Sequence, residues 1–208
     1  MYQIKVIIRN NKCYSIHSRE VSVESAYNKK ERIWTRRFIG AAILQGAIVV
    51  GLTIFLVLSQ ISILKPEISR VIAAGGAGTW FTFGYVMYIV VGVIGVAVSA
   101  LFYYYLENER KTQYHSVTSK ALAWSHLILM NIGTSAATGL MMLSGYLGGA
   151  AMLPINVGGK GFNAGQAHEI LAPYVEPISA AILLLMVGVI GGGIGFLKVY
   201  YRSSPNNT

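Results

Sequence analysis

The chain has 208 residues, of which 54% are hydrophobic and only 12% are charged, half the ~25% charge content of an ordinary soluble domain. The charged residues cluster between apolar runs that are long enough to span lipid, which excludes a single soluble domain and predicts an all-α integral membrane protein. The net charge of +9 does not indicate nucleic-acid binding, because the basic residues flank the apolar runs, where anionic lipid headgroups attract them.

Residues 1–37 form a basic N-terminal segment with nine Lys and Arg against three Glu. A short strand at the opening YQIKVIIRN, an amphipathic surface helix over residues 21–34 and a partly disordered lead are all compatible with this segment. Trp34, followed by Arg36 and Arg37, is typical of an anchor at the membrane interface.

Four apolar runs predict four transmembrane helices, at about residues 38–60, 80–106, 121–148 and 178–200, within a membrane domain of residues 38–202. Each run reaches the ~20 residues that cross the hydrocarbon core. A lone amide such as Gln45, inside the first run, usually bonds a neighbouring helix. Small residues on the second and fourth runs predict close helix packing; these are Gly92, Gly95, Gly188, Gly192 and Gly195.

The connectors are predicted from their glycines and prolines. Residues 61–79 end in the glycine run Ala73–Gly78, which predicts a turn before the second helix. Residues 147–177 are rich in glycine and include three prolines, so they predict a long connector with a short interfacial helix near residues 163–171. Residues 203–208 form a polar tail.

Basic residues set the expected topology. Segments 1–37, 106–120 and 198–208 hold fourteen Lys and Arg, whereas segments 61–79 and 148–177 hold three. This asymmetry predicts that both termini are cytoplasmic, in a multi-pass protein of the cell membrane.

The third run carries the candidate binding residues. His126 could be a haem ligand or a quinone contact, but no other predicted span offers a second histidine, and a structural histidine bonded to a neighbouring helix is the alternative. Polar residues spaced at i, i+3, i+4 and i+7 share one helix face and could line a hydrophilic path or bond helices together. These are Asn131, Thr134, Ser135 and Thr138.

No charged residue lies deep in any predicted span, which argues against an autonomous pump or ion-coupled transporter. His168 and Glu169, in the predicted outer connector, are candidates for metal binding or protein contact. They lack a second histidine at ligand spacing, so no metal site is predicted. The sequence has no Asp and no nucleophile elbow, so no catalytic residue is predicted either.

The run LAWSHLILMNIG (residues 122–133), closing with GYLGG (145–149) and MLP (152–154), resembles a late helix of heme-copper oxidase subunit I. The resemblance covers a third to a half of the chain and implies a shared helical scaffold. The family's haem and copper ligands have no match here, and the histidine at the position of His126 is not a metal ligand in that family. Small, basic, glycine-rich four-helix proteins also resemble accessory subunits of copper membrane monooxygenases, such as the archaeal ammonia oxidation complex.

Together these features predict a non-catalytic accessory subunit of a membrane-bound redox complex, respiratory oxidase-like or copper monooxygenase-like. Its expected partners are other membrane subunits and anionic lipid, and no cofactor is assigned. The alternatives are a haem- or quinone-binding electron carrier centred on His126, and a small transporter that uses the Asn131–Thr138 face.

Overall fold

A computed structural model describes residues 33–112, 114 and 116–202 of the chain. The predicted basic segment up to residue 32, with its strand and most of its surface helix, and the polar tail 203–208 lie outside the described residues. Over the part that is described, the fold contains helices and turns and no strand. The all-α prediction is therefore confirmed for these residues.

Four helical stretches are long and apolar enough to cross a membrane: Ile33–Ile61, Gly76–Glu109, Val117–Met152 and Ala164–Arg202. They are called the first to fourth spans below. The α-helices are α1 (Ile33–Leu58), α2 (Ile68–Ala73), α3 (Thr79–Met87), α4 (Val96–Tyr104), α5 (Val117–Met152) and α6 (Ala164–Arg202). The described residues also contain three π-helical segments, Ser59–Ile63, Tyr88–Gly95 and Tyr105–Glu109, and two 3-10 turns, Gly76–Gly78 and Ile155–Val157.

The four predicted spans are present, but every helix extends beyond its apolar run. The largest difference lies in the predicted connector 147–177. The fourth span begins at Ala164 and continues through Pro173 and Pro177, so only residues 153–163 separate it from the third span. Each proline lacks an amide hydrogen, so the carbonyls of Glu169 and Pro173, four residues earlier, lose their helical partner, and both of those residues are exposed.

Glycine shapes the connector between the first and second spans. The short helix α2 ends at Ala73, and the chain then turns at Gly75 and Gly76, which have φ of 68° and 53°. The glycine run therefore forms the predicted turn, because only glycine adopts positive φ without strain. Tyr146 of the third span donates a hydrogen bond to the Pro66 carbonyl at 3.1 Å and holds this connector against the bundle.

The third and fourth spans form the most extensive helix pair. A Cβ added at Gly133 would lie 2.6 Å from the backbone nitrogen of Leu185, so the two backbones approach too closely for any side chain there. The second span packs on the third through Gly84, where an added Cβ would lie 2.7 Å from the Thr138 carbonyl oxygen. The first span is peripheral, because only 6% of its most apolar 18-residue stretch is buried inside the bundle.

The two ends of the bundle differ in character. Trp34, Tyr103, Tyr114 and Trp124 meet at one end, called the aromatic end below. The other end contains the connectors 64–75 and 153–163 and is called the glycine-rich end. The first span starts at the aromatic end and the fourth span finishes there, since Arg110, which follows the second span, lies over the Tyr200 ring.

Candidate functional site

A hydrogen-bonded polar group ties three spans together inside the bundle. Gln45 of the first span is 4% exposed, and its Nε2 donates to Asn131 Oδ1 at 2.8 Å and to Ser135 Oγ at 3.3 Å. The hydroxyl of Tyr88, from the second span, donates to Gln45 Oε1. These four side chains are called the polar centre below. The prediction that Gln45 bonds a neighbouring helix is confirmed.

The predicted polar stripe divides into two pairs in the structure. Asn131 and Ser135 join the polar centre, and Asn131 Nδ2 also donates to the Leu127 carbonyl at 2.7 Å. Thr138 instead donates to the Thr134 carbonyl of its own helix at 2.7 Å. Thr134 is buried, and its hydroxyl has no hydrogen-bond partner among the described residues. Three of the four stripe residues thus bond groups within the protein, and the stripe does not form one open polar surface.

His126 is 8% exposed and lies between the first, second and fourth spans. Its Nδ1 is 3.3 Å from the Tyr103 hydroxyl, and its Nε2 is 3.5 Å from Ser99 Oγ. The Phe38 ring lies 4.9 Å from the imidazole, centre to centre. A Cβ added at Gly192 would overlap the imidazole, so the fourth span closes the remaining side. Both ring nitrogens therefore face hydroxyl groups, which is the arrangement of a histidine that bonds neighbouring helices.

Small residues allow these contacts. Gly188 meets the backbone nitrogen of Met130, which an added Cβ would approach to 2.8 Å. At Gly195 an added Cβ would lie 3.2 Å from Leu122 Cβ, and at Gly95 it would lie 3.1 Å from the Met130 terminal methyl. Gly92 lies beside the ring of Tyr88 and the methyl group of Thr134. The candidate packing glycines of the second and fourth spans thus all lie against other parts of the bundle.

A buried carboxylate holds the start of the first span. Glu107, 5% exposed, lies in the last turn of the second span, and its Oε1 accepts a hydrogen bond from the Trp34 amide at 3.0 Å. Its Oε2 accepts from the Thr35 amide at 3.0 Å and from Thr35 Oγ1 at 2.7 Å. An anionic acceptor stabilises the unpaired amides and the positive dipole end of a helix N-terminus. The first turn of this helix has no acidic residue of its own.

Aromatic rings cluster around the start of the first span, beside the amides that bond this carboxylate. The guanidinium of Arg37 lies 4.7 Å from the Trp34 ring centre and 4.4 Å from that of Trp124, so two indoles hold one cation. Such contacts stabilise a cation by the quadrupole of each ring. Tyr114 lies between the second and third spans, and its ring centre is 6.0 Å from that of Trp34. Burial raises the pKa of the Tyr114 hydroxyl.

The remaining candidates lie apart from these contacts. His168 and Glu169 are on the first turns of the fourth span and not in a loop, and both are exposed. Among the described residues, no group of three or more His, Cys, Asp or Glu could hold a metal ion. The structure therefore brings His126, Ser99 and Tyr103 together, and Gln45, Tyr88, Asn131 and Ser135 together, but leaves His168 and Glu169 at the opposite end.

Two of these features could not be identified from the sequence. In the sequence, Glu107 is one of several charged residues after the second apolar run, and its target amides lie more than seventy positions earlier. The only signal was a first helix turn without an acid. Tyr88 looked like one more aromatic residue of an apolar run, and its pairing with Gln45 depends on the relative positions of two helices.

No protein-family model, curated protein or solved structure matches this chain.

Proposed function

We propose that the chain is a non-catalytic accessory subunit of a larger membrane-bound redox complex, respiratory oxidase-like or copper monooxygenase-like. The proposal also places it in the cell membrane with both termini in the cytoplasm. The redox character rests on the resemblance of residues 122–154 to a helix of oxidase subunit I. The accessory role rests on the structure of the first span.

The first span supports the accessory role because it has small residues on its exposed surface. Gly40, Ala47 and Gly51 lie within about 40° of each other around the helix, at 100° per residue, and form one exposed face. An added Cβ at Gly40 or Gly51 would meet no atom within 4 Å. Gly133 of the third span and Gly188 of the fourth, by contrast, lie against backbone of this same chain. Small residues on a helix face let another membrane helix approach closely, so a helix of another subunit is the proposed neighbour.

The polar groups inside the bundle favour a structural role over the two alternatives. The nitrogens of His126 face Ser99 and Tyr103, which leaves neither directed toward a haem or quinone. Asn131 and Ser135 bond Gln45, so they do not line an open path for a transported solute. A Soret band in the absorption spectrum of the purified protein would nevertheless favour the haem carrier.

Substitutions on the first span test the accessory role. We expect Gly51→Leu to reduce the amount of partner subunits that co-purify with the tagged protein, because the side chain would hold a neighbouring helix away. Gly193→Leu is the matched control, since Gly193 is on the exposed surface of the fourth span with no atom within 4 Å of an added Cβ. Equal co-purification with both variants would contradict the proposed face.

A further inference from the structure

An apolar groove of about 440 Å³ runs along the outer surface between the first and second spans, near the aromatic end. Its volume lies within the ~300–1,000 Å³ range of small-molecule sites. The first span contributes Thr35, Ile39, Ala42 and Ile43, and the second contributes Ala97, Ala100, Leu101 and Tyr104. Ala42 of the first span lies across the groove from Ala97 and Ala100 of the second. These small side chains leave a space between the two helices that no side chain of the described residues fills.

The groove extends from the aromatic end of the bundle along the first and second spans. Residues 35 to 43 cover about 12 Å along the first helix, at ~1.5 Å per residue. Its walls are apolar, and its polar residues, Thr35 and Tyr104, lie at the end nearest the aromatic end of the bundle. A ligand that fits this pattern has an apolar chain and a polar group at one end.

The charged residues near the polar end of the groove indicate the sign of the charge on the ligand's polar group. Arg36 precedes Ile39 and Ile43 by three and seven positions, so it lies on the same helix edge, one to two turns closer to the helix start. It is exposed, and it has no ion-pair partner within the described part of the chain. The carboxylate of Glu107 accepts three hydrogen bonds from Trp34 and Thr35, and the carboxylate of Glu109 accepts one from Asn108.

A hydrogen-bond donor accompanies this cation. The Tyr104 hydroxyl accepts a hydrogen bond from Asn108 Nδ2 at 3.0 Å, which leaves its own proton for another acceptor. A phosphate oxygen near Arg36 and Tyr104 would receive one charge-assisted and one neutral hydrogen bond.

We propose that this groove binds one anionic phospholipid, with an acyl chain between Ala42 and Ala97 and the phosphate at Arg36 and Tyr104. The site goes beyond general attraction of the basic segments to the bilayer, because it selects one lipid molecule by both shape and charge. It would hold a lipid at the surface of the first span and so fix the position of a span that has few contacts inside the chain.

The test measures lipid retained by the full-length protein in detergent, with equal phosphatidylglycerol and phosphatidylcholine supplied. We expect one phosphatidylglycerol to remain bound, at least about fivefold in excess over phosphatidylcholine, in native mass spectra. Ala97→Leu should fill the groove and remove both lipids. Arg36→Gln should retain a lipid but lose the preference for phosphatidylglycerol.

Matched controls separate the site from general effects. Ala180→Leu adds the same side chain to an exposed position of the fourth span, and Arg202→Gln removes an exposed charge from the end of that span. Both should leave the retained lipid unchanged. Equal retention of the two lipids by the wild type, unchanged retention in Ala97→Leu, or unchanged preference in Arg36→Gln would overturn the proposal.

A photo-crosslinking residue at Leu101, which is 65% exposed, identifies the occupant directly. The proposal predicts a lipid adduct. A protein adduct without a lipid adduct would show that another helix fills the groove and would also overturn it, while leaving the accessory role intact.

Discussion

Gln45 is the amide on which the contacts between three spans converge. Replacing it with Leu removes the acceptor of Tyr88 and the donor to Asn131 and Ser135, and leaves an apolar side chain of similar size. Hydrogen bonds between membrane helices contribute about 0.6–1.7 kcal/mol each. We expect Gln45→Leu to lower the free energy of unfolding by about 1–2 kcal/mol, measured by thermal unfolding in detergent.

Gln60→Leu is the control for this change, because Gln60 is exposed and, among the described residues, bonds only the Leu56 carbonyl and Ser69. It should change stability by less than about 0.5 kcal/mol. Equal losses in the two variants would show that the polar centre does not hold the spans together.

The hydrogen bonds from Glu107 to the start of the first span lead to a second prediction. Glu107→Gln keeps the shape but removes the charge and one of two acceptor oxygens that face the Trp34 and Thr35 amides. A loss of about 1.4 kcal/mol in local stability corresponds to about tenfold faster amide exchange. We expect this acceleration at residues 34 and 35 in hydrogen-exchange measurements, and none at residues 131–138. Glu109→Gln, at an exposed carboxylate, should leave exchange at residues 34 and 35 unchanged.

The sequence predicts that some side chains need a hydrogen-bond partner, but it does not predict which partner they find. A lone amide in an apolar helix must find a partner, because an unsatisfied amide in hydrocarbon is costly, so the bonding of Gln45 was predictable. Which partner it finds depends on how the first and second spans are placed, and no local pattern contains that information. The same holds for Glu107, whose target amides are distant in sequence but adjacent in space.

Among the helices, the pairing of the third and fourth spans depends on glycine. Gly133→Ala would place a Cβ about 2.6 Å from the Leu185 backbone nitrogen, and backbone cannot move aside without separating the helices. We expect a loss of about 1–3 kcal/mol in stability, as for overpacking in a core. The measurement is the shift of the unfolding midpoint in detergent.

Gly139 provides the control on the same helix, since an added Cβ there meets no atom within 4 Å. Gly139→Ala should be neutral or slightly stabilising, because Ala favours helix over Gly by up to ~1 kcal/mol. A larger loss for Gly139→Ala than for Gly133→Ala would contradict the described interface.

Hydrophobic run length predicted the number of spans but not where their helices end. Length and apolarity are local properties of each run, so four spans could be identified from the sequence alone. The fourth helix starts well before its apolar run, because Ala167 and Leu171 pack against the bundle although Pro173 and Pro177 follow them. The prolines and glycines of this segment predict a connector. Packing against the third span outweighs their low helix propensity, so the segment is helical.

For the molecule as a whole, the distribution of Lys and Arg predicts one orientation. Cys13 is the only cysteine, so a membrane-impermeant maleimide reports the side of the N-terminal segment without any substitution. We expect labelling of Cys13 only after the cells are permeabilised. In a Cys13→Ser background, Asn156→Cys at the glycine-rich end should be labelled in intact cells, and Ser204→Cys should not. The reverse pattern would contradict the predicted topology.

The accessory role is tested most directly by native mass spectrometry of the tagged wild-type protein, extracted in mild detergent from its own membrane. We expect a complex in which this 22.6 kDa chain is bound to larger membrane subunits. We also expect redox cofactors, where present, to remain with those subunits when the complex is dissociated. A stable monomer of 22.6 kDa without any partner subunit would contradict the proposed function.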